Sequence, residues 1–184
     1  MAVIVSECSK LAQIECNERH DNVAQYIHSQ LCRLEGVSSW YEQKPEGVVE
    51  SENSKRLWDF TVECAREIEP RRPDIVFIDR KEREVVIIDV ALPGDDRVKD
   101  KGLEKVEKYR LLKDKIAKVW HTREVIVVLL VIRALGALSV KYKKYMKQIG
   151  VKVSLEVIQK TALLGTANIV KKATVLVRRR KREI

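Results

Sequence analysis

The sequence predicts an α/β fold in which a small mixed β-sheet is flanked by helices. Residues 72–79, 84–92 and 125–132 form apolar runs rich in β-branched side chains, which are typical of buried strands. The charged segment DRKERE joins the first two runs and predicts a hairpin turn between them. Apolar residues at three- and four-residue steps predict helices before and after these strands. With 184 residues, of which 45% are hydrophobic, the chain is long enough for one domain with its own core.

The first half of the chain begins with a predicted helix over residues 17–35, with Gly36 as its C-cap. The apolar positions of this helix are Val23, Ile27, Leu31 and Leu34. Residues 36–56 are polar and rich in turn-forming residues, so they predict a loop. Residues 57–66 then predict the first strand of the sheet.

The second half of the chain is predicted to be mainly helical. Residues 98–120 predict a basic helix after the hairpin. The run over 125–132 is apolar throughout, which predicts a strand in the centre of the sheet. Residues 138–149 predict a short helix that ends at Gly150, and residues 153–173 predict the last helix.

Charge is distributed unevenly along the chain. The formal net charge is +9, but residues 1–96 carry 12 basic and 20 acidic side chains, whereas residues 97–184 carry 24 basic and 7 acidic ones. A basic half of this size predicts a polyanionic partner, with nucleic acid as the first candidate and an anionic membrane as the second.

Two aspartates are predicted to face each other across the hairpin. The turn centres between Lys81 and Glu82, so the numbers of paired residues sum to 163 and Asp74 lies opposite Asp89. Opposed side chains on one face have Cβ atoms about 5 Å apart, and two carboxylates at that distance need a shared proton or a cation. A divalent ion such as Mg²⁺ suits such a pair. The alternatives are two strand-end caps, a general acid/base dyad, or a register slip that separates the carboxylates.

A lysine falls on the apolar face of the basic helix. At 100° per residue, Lys105 lies on the same face as a cluster of mostly apolar residues, and Lys108 lies at its edge. That cluster consists of Tyr109, Leu112, Ile116, Val119 and Trp120. Such a lysine is either part of a site or a stem that packs on apolar neighbours with its ammonium in water.

The residues Pro73-Asp74 and Asp89-Val90-Ala91 resemble the PD-(D/E)xK nuclease core, with Ala91 where that core has its lysine. The match becomes more specific with Arg72-Pro73-Asp74, Asp89 and the Lys-x-x-Lys-Tyr motif of residues 105–109, in that order and spacing. Over about residues 8–173 the chain, including IRALGAL and LEVIQKTALLGTANIVKK, resembles the restriction-like endonuclease at the C-terminus of site-specific non-LTR retrotransposon reverse transcriptases.

The resemblance implies a PD-(D/E)xK restriction-endonuclease-like core and a Mg²⁺-dependent (or Mn²⁺-dependent) DNA endonuclease. Asp74 and Asp89 would bind the metal, and Lys105 would orient or activate the attacking water. The supporting or phosphate-binding residues would be Arg72, Lys108 and Tyr109, and whether Lys105 or Lys108 is the catalytic lysine stays open. The implied role is nicking of target DNA, with double-stranded DNA as partner and element RNA as a further partner of the full-length protein. The alternatives are an inactive nucleic-acid-binding remnant and a structure-specific nuclease similar to Holliday-junction resolvases.

The resemblance also divides the chain. Residues 1–16 would be the end of a zinc knuckle with Cys8 as its last ligand, residues 17–173 the endonuclease-like domain, and residues 174–184 a basic tail. We therefore expect a C-terminal fragment that lacks the reverse transcriptase. Cys8, Cys16 and His20 include no closely spaced pair, so no zinc site is predicted in this chain.

The composition also predicts a location. No secretory signal is recognisable, and the longest apolar run, of eight residues, is far shorter than the roughly 20 that a membrane span needs. We expect an intracellular protein without a membrane partner. The run RRRKRE at residues 178–183 fits a nuclear localisation signal or a solvated tail. The oligomeric state is not predicted.

Overall fold

The structure is a computed structural model. It describes residues 12–34, 36, 44–61, 72–92, 109, 112–138, 142–148 and 150–180. In chain order the helices are a π-helical turn (Ala12–Cys16), α1 (Asn17–Leu34), α2 (112–119), α3 (Tyr142–Gln148) and α4 (Leu155–Arg180). The strands are β1 (Val48–Glu50), β2 (Ser54–Trp58), β3 (Ile75–Asp79), β4 (Glu84–Ala91) and β5 (Glu124–Val131). None of the described helices is long and apolar enough to cross a membrane.

The five strands form one mixed sheet in the order β1-β2-β3-β4-β5. Neighbouring strands are antiparallel except β4 and β5, which are parallel. The predicted mixed sheet flanked by helices is therefore confirmed. The prediction that the apolar run 125–132 is central was wrong, because β5 is the last strand of the described sheet. Its side chains are apolar because they enter the hydrophobic clusters on both faces of the sheet.

The predicted hairpin register is confirmed. In β3 and β4, Val76 pairs with Ile87 and Ile78 pairs with Val85, so the numbers of paired residues sum to 163. The turn between the strands is stabilised by Asp79, whose Oδ1 accepts the backbone N–H of Glu82 at 2.9 Å. The register therefore continues from the turn without a bulge as far as the pair Ile75–Ile88.

The predicted loop over residues 36–56 was partly wrong. Its last part holds β1 and the start of β2, and β2 ends at Trp58 rather than continuing to 66. This strand was not predicted because β2 contains polar residues, which usually indicate a loop. Two of them, Ser54 and Arg56, are buried in the fold. Arg56 reaches α1, where its Nη1 donates to the carbonyl oxygen of Leu31 at 3.4 Å. Residues 62–71 lie outside the described part of the chain.

Helices pack on both faces of the sheet. Side chains of α1 and α4, such as Ile27 and Ile158, share one cluster with Ile88 of β4. On the other face, Tyr109, Leu112 and Ile116 pack against Val76, Val85 and Ile87. This confirms most of the predicted apolar face of the basic helix. Val119 is an exception with 69% exposure, because it lies at the edge of that face in the last helical turn.

Two helix ends follow the glycines that the sequence indicates. α1 ends at Leu34, and the N–H of Gly36, which has φ 70°, donates to the carbonyl of Arg33. α3 ends before Gly150, which has φ 67°. The last helix runs to Arg180, beyond the predicted end at residue 173, because no Gly or Pro follows residue 165 to end it.

His28 makes the stability of this fold sensitive to acid. It is 1% exposed, and its ring packs edge-on against Trp58 with centroids 5.7 Å apart. Burial, together with the nearby Arg56 guanidinium, lowers the pKa of His28 to about 4. The unfolded chain therefore takes up a proton near pH 6.5, whereas the folded protein does so only near pH 4. This contribution to stability is complete above pH 6.5 and is lost as pH falls towards 4.

We expect the free energy of unfolding to fall by about 2 kcal/mol between pH 7 and pH 5 through this residue. Urea unfolding of the wild type and of His28→Gln at both values measures the effect. The variant removes the titrating ring and should show a correspondingly smaller fall. His121→Asn, at an exposed histidine, is the control and should behave like the wild type. Equal pH dependence in the wild type and His28→Gln would contradict the prediction.

Candidate functional site

The candidate site lies where β4 extends beyond the start of β3. β3 begins at Ile75, opposite Ile88, so the pairing of β3 with β4 ends two residues before Val90. Side chains contact the backbone of Val90 on that side. The Val90 N–H donates to Oδ2 of Asp74 at 2.6 Å, and its carbonyl oxygen lies 3.1 Å from Nε2 of His20. Asp74 is therefore held at the end of the hairpin by the residue that follows Asp89.

Asp89 lies inside β4 and is 3% exposed. Alternation along the strand places it on the same face as Val85 and Ile87, towards α2. There the hydroxyl of Tyr109, which is 0% exposed, donates to Oδ1 of Asp89 at 3.0 Å. An ionised carboxylate at this depth is costly unless hydrogen bonds and a positive charge compensate for its lost hydration.

Asp74 connects the hairpin to the neighbouring strand and to α1. Its backbone carbonyl accepts the N–H of Asp59 at 2.8 Å, which extends the pairing of β2 and β3 by one residue. Its Oδ2 lies 3.2 Å from Nε2 of His20, in the first turn of α1. The other ring nitrogen of His20 lies 3.0 Å from Oδ1 of Asp21. Three elements therefore meet at this residue.

The predicted site residues are brought together only in part. Asp74 precedes and Asp89 follows the last pair of the β3–β4 register, Ile75–Ile88, and Tyr109 contacts Asp89. Arg72 instead pairs with Asp59, with its Nε 3.0 Å from the carbonyl oxygen and its Nη2 2.6 Å from Oδ2. The Arg72 side chain is 61% exposed, so this ion pair adds little stability. The predicted residues Lys105 and Lys108 lie outside the described residues.

Sequence reasoning missed His20 as a neighbour of the carboxylates. It considered this residue only beside Cys8 and Cys16, as a candidate zinc ligand. His20 precedes Asp74 by 54 positions, and no spacing pattern in the sequence relates the two. Their contact arises from the packing of α1 at the end of β4, which only the tertiary structure reveals.

A buried arginine attaches α1 to that end of the sheet. Arg19 donates from Nη2 to the carbonyl of Leu92 at 3.1 Å and from Nη1 to Oγ1 of Thr166 in α4 at 3.0 Å. Burial lowers the pKa of Arg19. A Cβ on Gly165 would lie 2.5 Å from Cγ of Arg19, so this glycine is needed for the helices to approach closely. The contact fixes the first turn of α1, and with it His20, beside Val90.

The donor atoms at the site suit a hard divalent cation. Two aspartate carboxylates and the Val90 carbonyl supply oxygen, which is the preferred ligand atom of Mg²⁺ and also suits Mn²⁺. Within the described ranges, no group of three or more His, Cys, Asp or Glu side chains that could hold a metal ion is found. The residues that would hold an ion are Asp74 and Asp89, with the backbone of Val90 beside them.

Function at this site has to be inferred from its own geometry and chemistry. Neither the known protein families nor the curated proteins give a match to this chain.

Proposed function

We propose that this protein is a metal-dependent endonuclease that hydrolyses phosphodiester bonds in double-stranded DNA. One observation carries the proposal: Asp74 and Asp89 directly flank the last residue pair of an apolar hairpin, Ile75–Ile88, and each carboxylate accepts a hydrogen bond. A bound cation stabilises the ionised form of two carboxylates that are buried or half-buried. The basic second half of the chain supports a phosphate-containing substrate.

The described residues have distinct roles in this proposal. Asp74 and Asp89 would hold Mg²⁺ or Mn²⁺, which when bound polarises the scissile phosphate and lowers the pKa of a bound water. Tyr109 fixes the rotamer of Asp89 through its hydroxyl, and the Val90 N–H fixes that of Asp74. Carboxylates held in this way can bind a cation with little rearrangement.

Lys105 is proposed as the cationic residue of the reaction. It precedes Tyr109 by four positions in the sequence, the spacing at which two residues share a face of a helix. Its ammonium would stabilise negative charge that develops on the phosphate, or orient the attacking water. Lys108 is the alternative. Comparing Lys105→Met with Lys108→Met in a cleavage assay distinguishes the two, because the catalytic lysine is the one whose loss lowers kcat.

The DNA is proposed to lie along the basic half of the chain. Described basic side chains there include Lys113 in α2 and Lys160 and Lys171 in α4, all exposed. Such residues bind phosphates without reading sequence, so affinity should fall steeply with salt. A finer proposal follows from the resemblance: the cleavage is nicking of target DNA for a retrotransposon, in the nucleus and with element RNA bound by the full-length protein.

Incubation with supercoiled plasmid tests the proposal. In Mg²⁺ or Mn²⁺ the protein should convert the plasmid to open-circular or linear DNA, and EDTA should stop the reaction. A four-way junction and a linear duplex of the same sequence should be cut at similar rates. Strong preference for the junction would favour the resolvase-like alternative. DNA binding without cleavage in either metal would overturn the proposal and favour an inactive nucleic-acid-binding protein.

A further inference from the structure

We propose that His20 is a ligand of the metal, beside the Asp74 carboxylate and the Val90 carbonyl, and that its nitrogen makes the site prefer Mn²⁺ to Mg²⁺. The inference rests on the metal site of the proposed function, but it can be tested by binding alone. It assigns a role to a residue of α1 that lies far from the two aspartates in sequence. His20 also retains access to solvent, with 27% of its side chain exposed.

The distances around Nε2 of His20 fit a shared cation. This atom lies 3.2 Å from Oδ2 of Asp74 and 3.1 Å from the carbonyl oxygen of Val90. In an octahedral site with metal–ligand bonds of about 2.1 Å, neighbouring ligand atoms are about 3.0 Å apart. The distance from the nitrogen to each oxygen is therefore that of adjacent ligands of one ion.

The orientation of the imidazole ring supports the same assignment. Nδ1 lies 3.0 Å from Oδ1 of Asp21, a carboxylate that accepts hydrogen bonds. When Nδ1 carries the proton and donates it to Asp21, the lone pair of Nε2 points towards Asp74 and Val90. A cation bound at this nitrogen would then also face the Asp74 carboxylate and the Val90 carbonyl. A histidine that binds a metal commonly donates its other N–H to a carboxylate in this way.

A nitrogen ligand changes which ion the site prefers. Mg²⁺ takes almost only oxygen ligands, whereas imidazole suits transition metals and carboxylate also suits Mn²⁺. A site that adds one imidazole to a carboxylate and a carbonyl should therefore bind Mn²⁺ more tightly than Mg²⁺. The removal of His20 should weaken this preference selectively, because the oxygen ligands remain.

The competing explanation is that His20 only supports the fold. In the other tautomer, Nε2–H donates to the Val90 carbonyl and attaches α1 to the edge of β4, with no part in metal binding. His20→Gln separates the two explanations because the glutamine amide can still donate to that carbonyl. His121→Asn, at an exposed histidine outside the site, is the matched control.

The experiment measures Mn²⁺ and Mg²⁺ binding to the full chain by calorimetry, and the ligand atoms of bound Mn²⁺ by pulsed electron paramagnetic resonance. In the wild type we expect tighter binding of Mn²⁺ and a nitrogen coupling in the Mn²⁺ spectrum. In His20→Gln the coupling should disappear, and Mn²⁺ affinity should fall by at least about tenfold with a smaller change for Mg²⁺. His121→Asn should match the wild type, and circular dichroism should show that both variants are folded.

The outcomes separate this inference from the proposed function. Bound Mn²⁺ without nitrogen coupling in the wild type, or an unchanged ratio of the two affinities in His20→Gln, would overturn the role of His20 even if the protein cleaves DNA. Nitrogen coupling that depends on His20 would support the ligand assignment even if no DNA is cleaved. Failure of the wild type to bind either ion would overturn the inference together with the metal dependence of the proposed function.

Discussion

Replacing Asp89 by asparagine is expected to lower metal-dependent nicking of DNA by at least about 10³-fold while the protein remains folded. The substitution changes one oxygen to an amide nitrogen and removes the negative charge. An amide is a poor ligand for a hard divalent ion compared with a carboxylate, so the affinity for the metal should be lost along with catalysis.

The fold should tolerate this change because Asp89→Asn preserves the shape of the side chain. The amide oxygen can still accept a hydrogen bond from the hydroxyl of Tyr109. In the wild type the hydroxyl oxygen lies 3.0 Å from Oδ1 of Asp89. The substitution also removes a charge from a position that is 3% exposed, where ionisation is costly. Without metal, the variant should therefore remain folded.

Thermal unfolding with and without metal tests both parts of the prediction. An ion present at 100 times its dissociation constant should stabilise the wild type by about 2.7 kcal/mol, and should leave the melting temperature of Asp89→Asn unchanged. Asp79→Asn is the matched control, because Asp79 lies at the turn end of the same hairpin. The control should nick DNA at the wild-type rate. Nicking by Asp89→Asn at a comparable rate would refute the assignment of the site.

The position of this site was predictable because it depends on local features of the chain. A short charged turn between two apolar runs sets the register of a hairpin, and the register then determines which residues are opposed. The pairing of Val76 with Ile87 confirms that step. The contact between Asp89 and Tyr109 depends on where α2 packs, but the apolar face of that helix already indicates which side is turned to the sheet.

Features that depend on distant parts of the chain were not predictable in the same way. Arg56 is a charged residue in a strand, and its burial depends on contacts with α1 that no local pattern records. The edge position of β5 was also not predictable from local sequence. An apolar run indicates that both faces of a strand are covered, but not how many strands lie beside it. His20 reaches Asp74 only because α1 is attached to the end of β4 by Arg19.

Replacing Gly136 by alanine is expected to reduce the free energy of unfolding by about 2–4 kcal/mol. Gly136 lies in the turn after β5 with φ 82°, which costs an alanine about 1–2 kcal/mol. A Cβ there would also lie 2.9 Å from the backbone oxygen of Gln159 and 3.3 Å from its Cα. Because these atoms belong to the backbone of α4, they cannot move aside as a flexible side chain could.

The strain should extend to the candidate site through the same turn. The carbonyl of Ala134 accepts the hydroxyl of Thr166 at 2.6 Å, and Thr166 in turn binds Arg19. If the turn and α4 separate, the support for the first turn of α1 weakens and metal affinity should fall with stability.

Gly36→Ala isolates the contribution of the clash in Gly136→Ala. Gly36 has φ 70°, so alanine there meets a similar backbone cost, but its Cβ would have no heavy atom of the described residues within 4 Å. Urea unfolding should therefore show a loss of only about 1–2 kcal/mol for Gly36→Ala. The difference between the two variants measures how tightly the turn packs on α4. Equal losses would mean that the turn can move away from Gln159, and that the close packing beside the candidate site adds no stability of its own.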